Sequence, residues 1–140
     1  MKTMNIYMMD NFKSPAQKTG SVMYILEAIT SHGAATVTKK LDFEGESENR
    51  ANLKALIEAI NRINTPCEVN LYTTSNYIIQ GLMIWSEKWK RNEWTNGKGG
   101  EIKNVDLWRE AIITKDTKKL DMKASTRRHS YSAWMERELK

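Results

Sequence analysis

The chain has 140 residues, of which 40% are hydrophobic and 28% are charged, and its formal net charge is +5. This length and balance are typical of one globular domain covering residues 1–140, and no apolar run approaches the roughly 18 residues that a membrane-spanning helix needs. A lone cysteine, Cys67, excludes an intramolecular disulfide, so we expect a reducing, cytoplasmic setting.

The positive charge is concentrated in the second half of the chain. Residues 1–70 carry eight Lys/Arg and eight Asp/Glu, whereas residues 71–140 carry fourteen and nine. A one-sided basic surface suits a polyanionic partner, of which nucleic acid is the commonest.

The first 43 residues predict three antiparallel strands. Apolar runs at residues 4–9 and 21–29 are separated by a polar loop that contains Pro15. A turn at Ser31–Gly33 leads into residues 34–43, which alternate enough to pair back as a hairpin.

The remaining residues alternate between helix and strand. Leu53, Leu56, Ile57, Ile60 and Ile63 follow a helical period, and the alternating strand 68–73 comes next. Further elements are a helix capped by Ser75, a helix capped by Asn104, a strand at 118–123 and a terminal helix from Ser132. A strand reached through a helix lies parallel to an earlier one, so the order predicts a mixed sheet with packed helices.

The stretch Leu71–Trp108 carries a family resemblance. Tyr-Thr-Thr-Ser-Asn-Tyr leads into a helix with Gly81, then Trp-Ser-Glu-Lys-Trp-Lys-Arg, and later Lys-Asn-Val-Asp-Leu-Trp. This pattern resembles the type 1 ribonuclease H family. The resemblance implies a mixed five-stranded sheet, three antiparallel strands then parallel ones, with helices on both faces. It also implies cleavage of the RNA strand of RNA–DNA hybrids by two Mg²⁺ or Mn²⁺ ions that four carboxylates hold.

Of the first two carboxylate positions of the family, one has an acid in this chain and the other has an amide. The aspartate that ends the first strand matches Asp10, although a second alignment puts Met9 there. The glutamate of the first helix, flanked in the family by Asn-Arg and Leu, matches Asn52. An amide supplies no negative charge, so a cation site that needs several anionic oxygens is weakened at this position.

The last two positions are also altered. The second aspartate, which bridges both ions in the family, corresponds to Thr74. The final aspartate aligns with Glu136 or Arg137, depending on loop length, and only the former could bind a metal. The family's mobile histidine is missing from Lys123-Ala124-Ser125, and His129 follows four residues later.

These substitutions predict loss of hydrolysis. Asp10 and Glu136 are the remaining candidate metal ligands among the catalytic positions Asp10, Asn52, Thr74 and Glu136. Removing one metal-binding acid lowers the rate of hydrolysis by a factor on the order of 10²–10⁴. Because two acids are replaced here, we expect the site to hold neither two metal ions nor another cofactor.

The binding side of the family is better preserved. A basic, tryptophan-bearing protrusion at about 85–103 matches the part that grips the DNA strand. Aromatic rings stack on bases or sugars, and lysine and arginine neutralise phosphates. The resemblance implies contacts by Asn49, Asn76, Gln80, Trp85, Lys88, Trp89, Lys90, Arg91, Trp94 and Asn104. Ser47 could stand in for the threonine of the phosphate pocket, while Lys123, Arg127 and Arg128 add charge.

Packing explains several of these residues equally well. Trp85 and Trp89 suit a helix core as much as a contact surface, Trp94 in its loop is the better contact candidate, and Trp108 is expected in the core. Asn104 is as good a helix cap as a ligand.

Three functions remain open from the sequence. The first is a domain that binds RNA–DNA hybrid or another duplex without cutting it. The second is a weak or manganese-dependent ribonuclease H, and the third is a scaffold that binds a protein partner.

Overall fold

The computed structural model describes residues 2–14 and 16–140, so Pro15, predicted to lie in a loop, is outside the described residues. The strands are β1 (Thr3–Asp10), β2 (Thr19–Thr30), β3 (Gly33–Glu44), β4 (Cys67–Thr73) and β5 (Leu120–Ser125). The α-helices are α1 (Glu48–Asn61), α2 (Asn76–Gln80), α3 (Ser86–Arg91), α4 (Val105–Thr117) and α5 (Ser132–Glu138), with a π-helical segment, Gly81–Trp85, between α2 and α3.

The five strands form one mixed sheet in the order β3-β2-β1-β4-β5. The first three strands pair antiparallel, whereas β4 runs parallel to both β1 and β5. A short turn joins β2 to β3, and helical crossovers precede β4 and β5, as chain geometry requires for parallel strands. The predicted fold class is therefore confirmed.

The larger core lies between one face of the sheet and helices α1 and α4. Alternate residues of β1 and β2, such as Ile6, Met8 and Tyr24, point into it because successive strand side chains face opposite sides. The apolar stripe of α1 covers this face, and Ser47 caps the helix by accepting a hydrogen bond from the Arg50 backbone N–H at 3.2 Å. Cys67 is fully buried at the start of β4.

The seven-residue helix α5 packs on the opposite face of the sheet. Tyr7, Met9, Met23 and Ile25 pack there against Met135 and Leu139. This second, smaller cluster leaves the outer parts of the same sheet face in solvent.

Two element boundaries differ from the predicted ones. The last strand runs from Leu120 to Ser125 instead of 118–123, because α4 continues to Thr117 and Lys119 then takes a left-handed conformation with φ 57°. The helix after Ser75 is interrupted by the π-helical segment, which a hydrophobic period does not reveal.

In the part of the chain that the structure describes, no helix has the length and apolarity required to span a membrane.

Candidate functional site

A cleft of about 550 Å³ opens where β1 and β4 end. Parallel strands bring their carboxyl ends to one edge of a sheet, where ligands of open α/β sheets bind. Asp10 closes β1, and the residues from Thr74 follow β4. The lining also includes Glu48 and Asn49 from α1, Asn76 from α2 and Glu136 from α5.

The Asp10 carboxylate is already occupied by protein donors. Its Oδ1 accepts a hydrogen bond from the Phe12 backbone N–H at 2.9 Å, and its Oδ2 accepts one from Asn52 Nδ2 at 2.9 Å. The same Nδ2 donates to the Glu48 carbonyl oxygen at 3.0 Å. Asn52 therefore presents an NH₂ group to Asp10. A glutamate at this position would instead bind a cation together with Asp10.

Asn52 is fully buried, and its Oδ1 has no hydrogen-bond partner within the described residues. A buried amide oxygen without a partner costs about 1–3 kcal/mol. The site thus carries an energetic penalty at the position where the family has its glutamate.

Glu48 supplies a carboxyl group that the family motifs do not indicate. Burial and the neighbouring Asp10, with which it shares a hydrogen bond, raise the pKa of Glu48 to about 7. Glu48 lies four residues before Asn52, so both face the same side of α1. The sequence did contain a signal for this residue. Glu48 lies one helical turn before Asn52, the position of the family's glutamate, and this spacing brings its side chain to the same cleft.

The other two catalytic positions lie at the rim of the cleft. Thr74 is exposed directly after β4, and Ser75 caps α2 by accepting a hydrogen bond from the Ile78 N–H at 3.2 Å. Glu136 lines the cleft and accepts a hydrogen bond from Arg128 at 2.6 Å, which holds the pKa of Glu136 below its ordinary value. Met9 packs beneath α5, on the sheet face opposite α1.

The residues present do not fit the two-ion site that the resemblance implies. Among residues 2–14 and 16–140, no three or more His, Cys, Asp or Glu side chains are close enough together to hold a metal ion. Asp10 faces an amide NH₂, Thr74 carries no charge, and Glu136 is paired with Arg128. The set of acids that two hard cations need is incomplete at this cleft.

His129 packs against aromatic side chains beside α5. Its ring centroid is 4.3 Å from that of Tyr7 and 5.8 Å from that of Tyr72. Burial, followed by the charge of Arg128, lowers the pKa of His129. These contacts assign it a packing role.

The protrusion carries a continuous aromatic cluster. The Trp89 ring lies 5.8 Å from Trp85, 6.5 Å from Trp94 and 5.4 Å from Trp108, measured between centroids. Trp108 is fully buried, as predicted, and donates to the Tyr77 hydroxyl at 2.8 Å. Trp94, predicted as the better contact residue, is half-buried and packs against the core, and its backbone is left-handed (φ 64°).

A groove of about 330 Å³ runs along this cluster. Trp85 and Trp89 form one wall with Lys88, and Lys103 and Asn96 belong to the loop opposite. An apolar groove with cations at its edge is a suitable surface for a sugar–phosphate strand.

The three basic residues of α3 are not equivalent. Lys90 Nζ lies 2.7 Å from Asp116 Oδ2 and 3.2 Å from Glu87 Oε1, so its charge is neutralised by ion pairs within the protein. Lys88 and Arg91 are exposed and form no ion pair within the described part of the chain. The binding prediction therefore rests on these two more than on Lys90.

A second polar pocket of about 300 Å³ lies beside the first turn of α1. It is lined by Lys18, Ser47, Glu48, Asn49, Arg50, Lys103 and Asn104. Arg50 is held there by two hydrogen bonds to Asp106, at 3.0 and 2.9 Å, which lower the pKa of Asp106 to about 2.

Asn104 is the N-cap residue of α4, as predicted, but its side chain makes no capping hydrogen bond. It adopts a left-handed backbone (φ 61°), and its amide bridges Arg50 Nη1 at 3.3 Å and the Tyr77 hydroxyl at 3.1 Å. Because that bridge links the pocket to the aromatic groove, Asn104 joins the two binding surfaces. Gln80, also predicted to bind, is half-buried on α2 and lines neither of them.

Comparison with known proteins agrees with this architecture. The RNase H family model matches residues 3–124. A ribonuclease H of Caldicellulosiruptor saccharolyticus is 40% identical over 70 residues, which are 49% of this chain and 48% of the relative. The chain thus aligns with about half the length of such curated relatives.

Solved structures share the fold at low sequence identity. LC9-RNase H1, described as a type 1 RNase H with the type 2 active-site motif, superposes with a TM-score of 0.72 and 22% identity, covering 92% of this chain and 64% of that one. The foamy viral protease-reverse transcriptase in complex with RNA/DNA hybrid gives a TM-score of 0.71 and 15% identity, covering 99% of this chain and 19% of that one. With a family model spanning most of its residues and the matching sheet topology, this chain belongs to the RNase H family.

Proposed function

We propose that this domain binds RNA–DNA hybrid and does not cleave its RNA strand. The observation that carries the proposal is the hydrogen bond from Asn52 Nδ2 to Asp10 Oδ2, at 2.9 Å. In the family, the acids at these two positions bind a cation together. Here a neutral amide donor bonds directly to the remaining acid. Thr74 leaves the bridging position neutral as well.

The binding surfaces support retention of the nucleic-acid partner. The aromatic groove adjoins the cleft through Tyr77, the pocket at Arg50 adjoins it through Glu48 and Asn49, and Lys103 lines both. A structural relative was solved with an RNA/DNA hybrid bound. Hybrid is therefore the duplex that we propose for this chain.

In this function the chain acts by positioning. Lys88 and Arg91 would neutralise phosphates of one strand, while the Trp85 and Trp89 rings contact sugars along the groove. Arg50 is already paired with Asp106 and Glu46, so the exposed Lys18 and Lys103 of the same pocket would neutralise a second phosphate.

The test is a binding measurement over a range of salt concentrations. Replacing both Lys88 and Arg91 by Ala should weaken hybrid binding and reduce the log–log salt slope by about 0.7–0.9 for each phosphate that is no longer neutralised. The matched control is Lys39→Ala with Lys40→Ala, which removes the same charge from the exposed strand β3. Equal weakening in both double variants would overturn the proposed interface.

A manganese-dependent nuclease is the second candidate, and Glu48 is the observation that favours it. Its carboxyl group adjoins Asp10 in the cleft and adds an acid that the family pattern does not predict. Incubation of labelled hybrid with Mn²⁺ decides between the two functions. Product that disappears in Glu48→Gln would establish cleavage and refute the non-cleaving proposal.

A further inference from the structure

A basic depression lies on the sheet face that carries α5, away from both binding surfaces described above. It has a volume of about 180 Å³ and is lined by Asn70, Tyr72, Lys123, Ser125 and Arg127 with neighbouring backbone. None of these residues touches the aromatic groove or the Arg50 pocket.

Strand register creates this depression. Asn70 pairs with Lys123 and Tyr72 pairs with Ser125 across β4 and β5, so the four side chains leave the sheet on the same side. Buried Met122 points to the opposite face, into the main core. Arg127 follows β5 and covers the carboxyl end of the depression.

The donors of the depression are free to bind a ligand. Lys123 and Arg127 are exposed and form no ion pair with any described residue. The hydroxyls of Tyr72 and Ser125 likewise form no side-chain hydrogen bond in residues 2–14 and 16–140. Two cations with two hydroxyl donors match the charge and the acceptor oxygens of a phosphate.

Acidic residues restrict the direction from which an anion approaches. Glu68 pairs with Asp121 in the next row of the same sheet face, on the amino-terminal side of Lys123. Arg127 lies on the other side, beside Arg128, whose charge is paired with Glu136. A phosphate at Lys123 is therefore repelled by the Glu68–Asp121 row and attracted toward Arg127.

The depression is connected to the cleft through a small intervening pocket. That pocket shares Tyr72 and Arg127 with the depression, and it shares Thr74 and Glu136 with the cleft. A duplex lying over the cleft and the protrusion occupies the α1–α4 side of the molecule. A phosphate at Lys123 must belong to a strand that continues past Glu136 to the other side.

We propose that Lys123 and Arg127, with Ser125 and Tyr72, bind a backbone phosphate of a single-stranded extension leaving the hybrid. This inference rests on the proposed hybrid-binding function and adds the substrate class: a hybrid that continues into a single strand. A single strand fits because it is flexible enough to turn around the edge of the sheet at Glu136, whereas a duplex is stiff over that length.

The experiment compares blunt hybrid with hybrids that carry a single-stranded RNA or DNA extension at each end in turn. Affinities of the full chain are measured by fluorescence anisotropy with a chelator present. One extension should tighten binding by about tenfold, as expected for added charge-assisted hydrogen bonds. Lys123→Gln with Arg127→Gln should abolish that gain and weaken binding of blunt hybrid no more than removal of two charges elsewhere on the surface does.

The matched control is Lys39→Gln with Lys40→Gln, which removes two exposed charges from β3 and should preserve the gain. Thermal melts of both double variants must coincide with that of the parent chain, since all four side chains are exposed. If the control abolishes the gain as well, general electrostatics explain the effect and the inference is wrong.

Two further outcomes distinguish failure of this inference from failure of the proposed hybrid-binding function. Tight binding of blunt hybrid with no gain from any extension would refute this inference alone, while failure to bind blunt hybrid at low salt would refute the proposed function. Inorganic phosphate is the remaining probe. If it binds at millimolar concentration only when Lys123 and Arg127 are present, and extensions give no gain, the site takes free phosphate and the nucleic-acid assignment is overturned.

Discussion

At the scale of single residues, Asn52 is the side chain that satisfies the Asp10 carboxylate in the cleft. Its amide NH₂ joins Asp10 to the first turn of α1, through Oδ2 of Asp10 and the carbonyl of Glu48. An aspartate satisfied in this way needs no cation to be stable in a half-buried site. The cost is the partnerless Oδ1 of Asn52, which faces no donor among the described residues.

Restoring the acids of the family should restore metal binding. In Asn52→Glu with Thr74→Asp, Mn²⁺ should raise the melting temperature, because an ion at 100 times its Kd adds about 2.7 kcal/mol to the free energy of unfolding. Without metal the variant should be less stable than the parent, since like charges then face Asp10. Differential scanning fluorimetry with and without Mn²⁺ measures both effects.

The neutral double variant Asn52→Gln with Thr74→Ser controls for altered packing. It should show no manganese-dependent shift. An acidic variant whose melting temperature ignores Mn²⁺ would show that the backbone of the cleft, and not only its side chains, has diverged from a metal site.

Glu48 predicts an unusual pH dependence of stability. Its pKa is about 7 in the folded protein against an ordinary value of 4.5, so the unfolded chain loses this proton first as the pH rises. The free energy of unfolding should therefore fall between about pH 4.5 and 7 from this group. Glu48→Gln should flatten that part of the profile, as measured by urea unfolding at several pH values.

The informative comparison is between the two ends of this range. Near pH 4 the variant and the parent should have similar stability, and near pH 8 the variant should be the more stable one. Parallel profiles would mean that the pKa of Glu48 is not raised in the folded protein.

At the scale of elements, the π-helical segment connects the cleft to the protrusion. Gly81 opens it, and a Cβ built there would lie 2.0 Å from a ring carbon of Trp108. Only glycine lets the segment approach the tryptophan this closely. The approach positions Tyr77 to accept the indole N–H of Trp108, so one backbone contact organises the aromatic groove.

Gly81→Ala should destabilise the protein by about 1–3 kcal/mol through overpacking. Helix propensity alone predicts the opposite, a gain of up to about 1 kcal/mol, so the sign separates the two effects. Chemical denaturation gives the free energy of unfolding.

A double-mutant cycle with Trp108→Phe assigns the cause. The smaller ring leaves room for the added methyl group, so Gly81→Ala should cost less in the Trp108→Phe background. The same cost in both backgrounds would place the strain elsewhere in the helix.

Local signals explain why the elements were largely predictable. Alternation in β4, the helical period of α1 and the capping hydroxyl of Ser75 act over a few residues and were identified from the sequence. The left-handed Asn104 was not predicted, because its conformation is stabilised by Arg50 and Tyr77, which are distant along the chain.

At the scale of the whole molecule, contacts between its two ends hold α5 in place. Glu27 on β2 accepts hydrogen bonds from Tyr7 at 2.8 Å and from Tyr131 at 2.6 Å. Burial raises the pKa of this glutamate, but hydrogen bonds from Tyr131, Asn5 and Tyr7 outweigh burial and lower it overall. Asn11 adds a bond to the Leu139 carbonyl oxygen at 2.9 Å.

Tyr131→Phe should cost about 1.5–3 kcal/mol, since it removes a hydrogen bond to a buried charged group. Hydrogen exchange should increase first in α5, because Tyr131 directly precedes that helix. Trp134→Phe is the matched control: it changes an aromatic residue of the same helix that is 37% exposed. Similar protection of α5 in both variants would exclude Glu27 as its anchor.

The sequence by itself determined the family, the order of elements and the absence of two family acids, because strand period, helix period and residue identity are readable along the chain. It also located the basic half of the molecule. Only the tertiary structure showed that Glu48 adjoins Asp10, that Lys90 is neutralised by Asp116, and that Lys123 lies beside Tyr72. Those relations depend on distances between residues far apart in sequence, and such distances exist only once the sheet and its helices have packed.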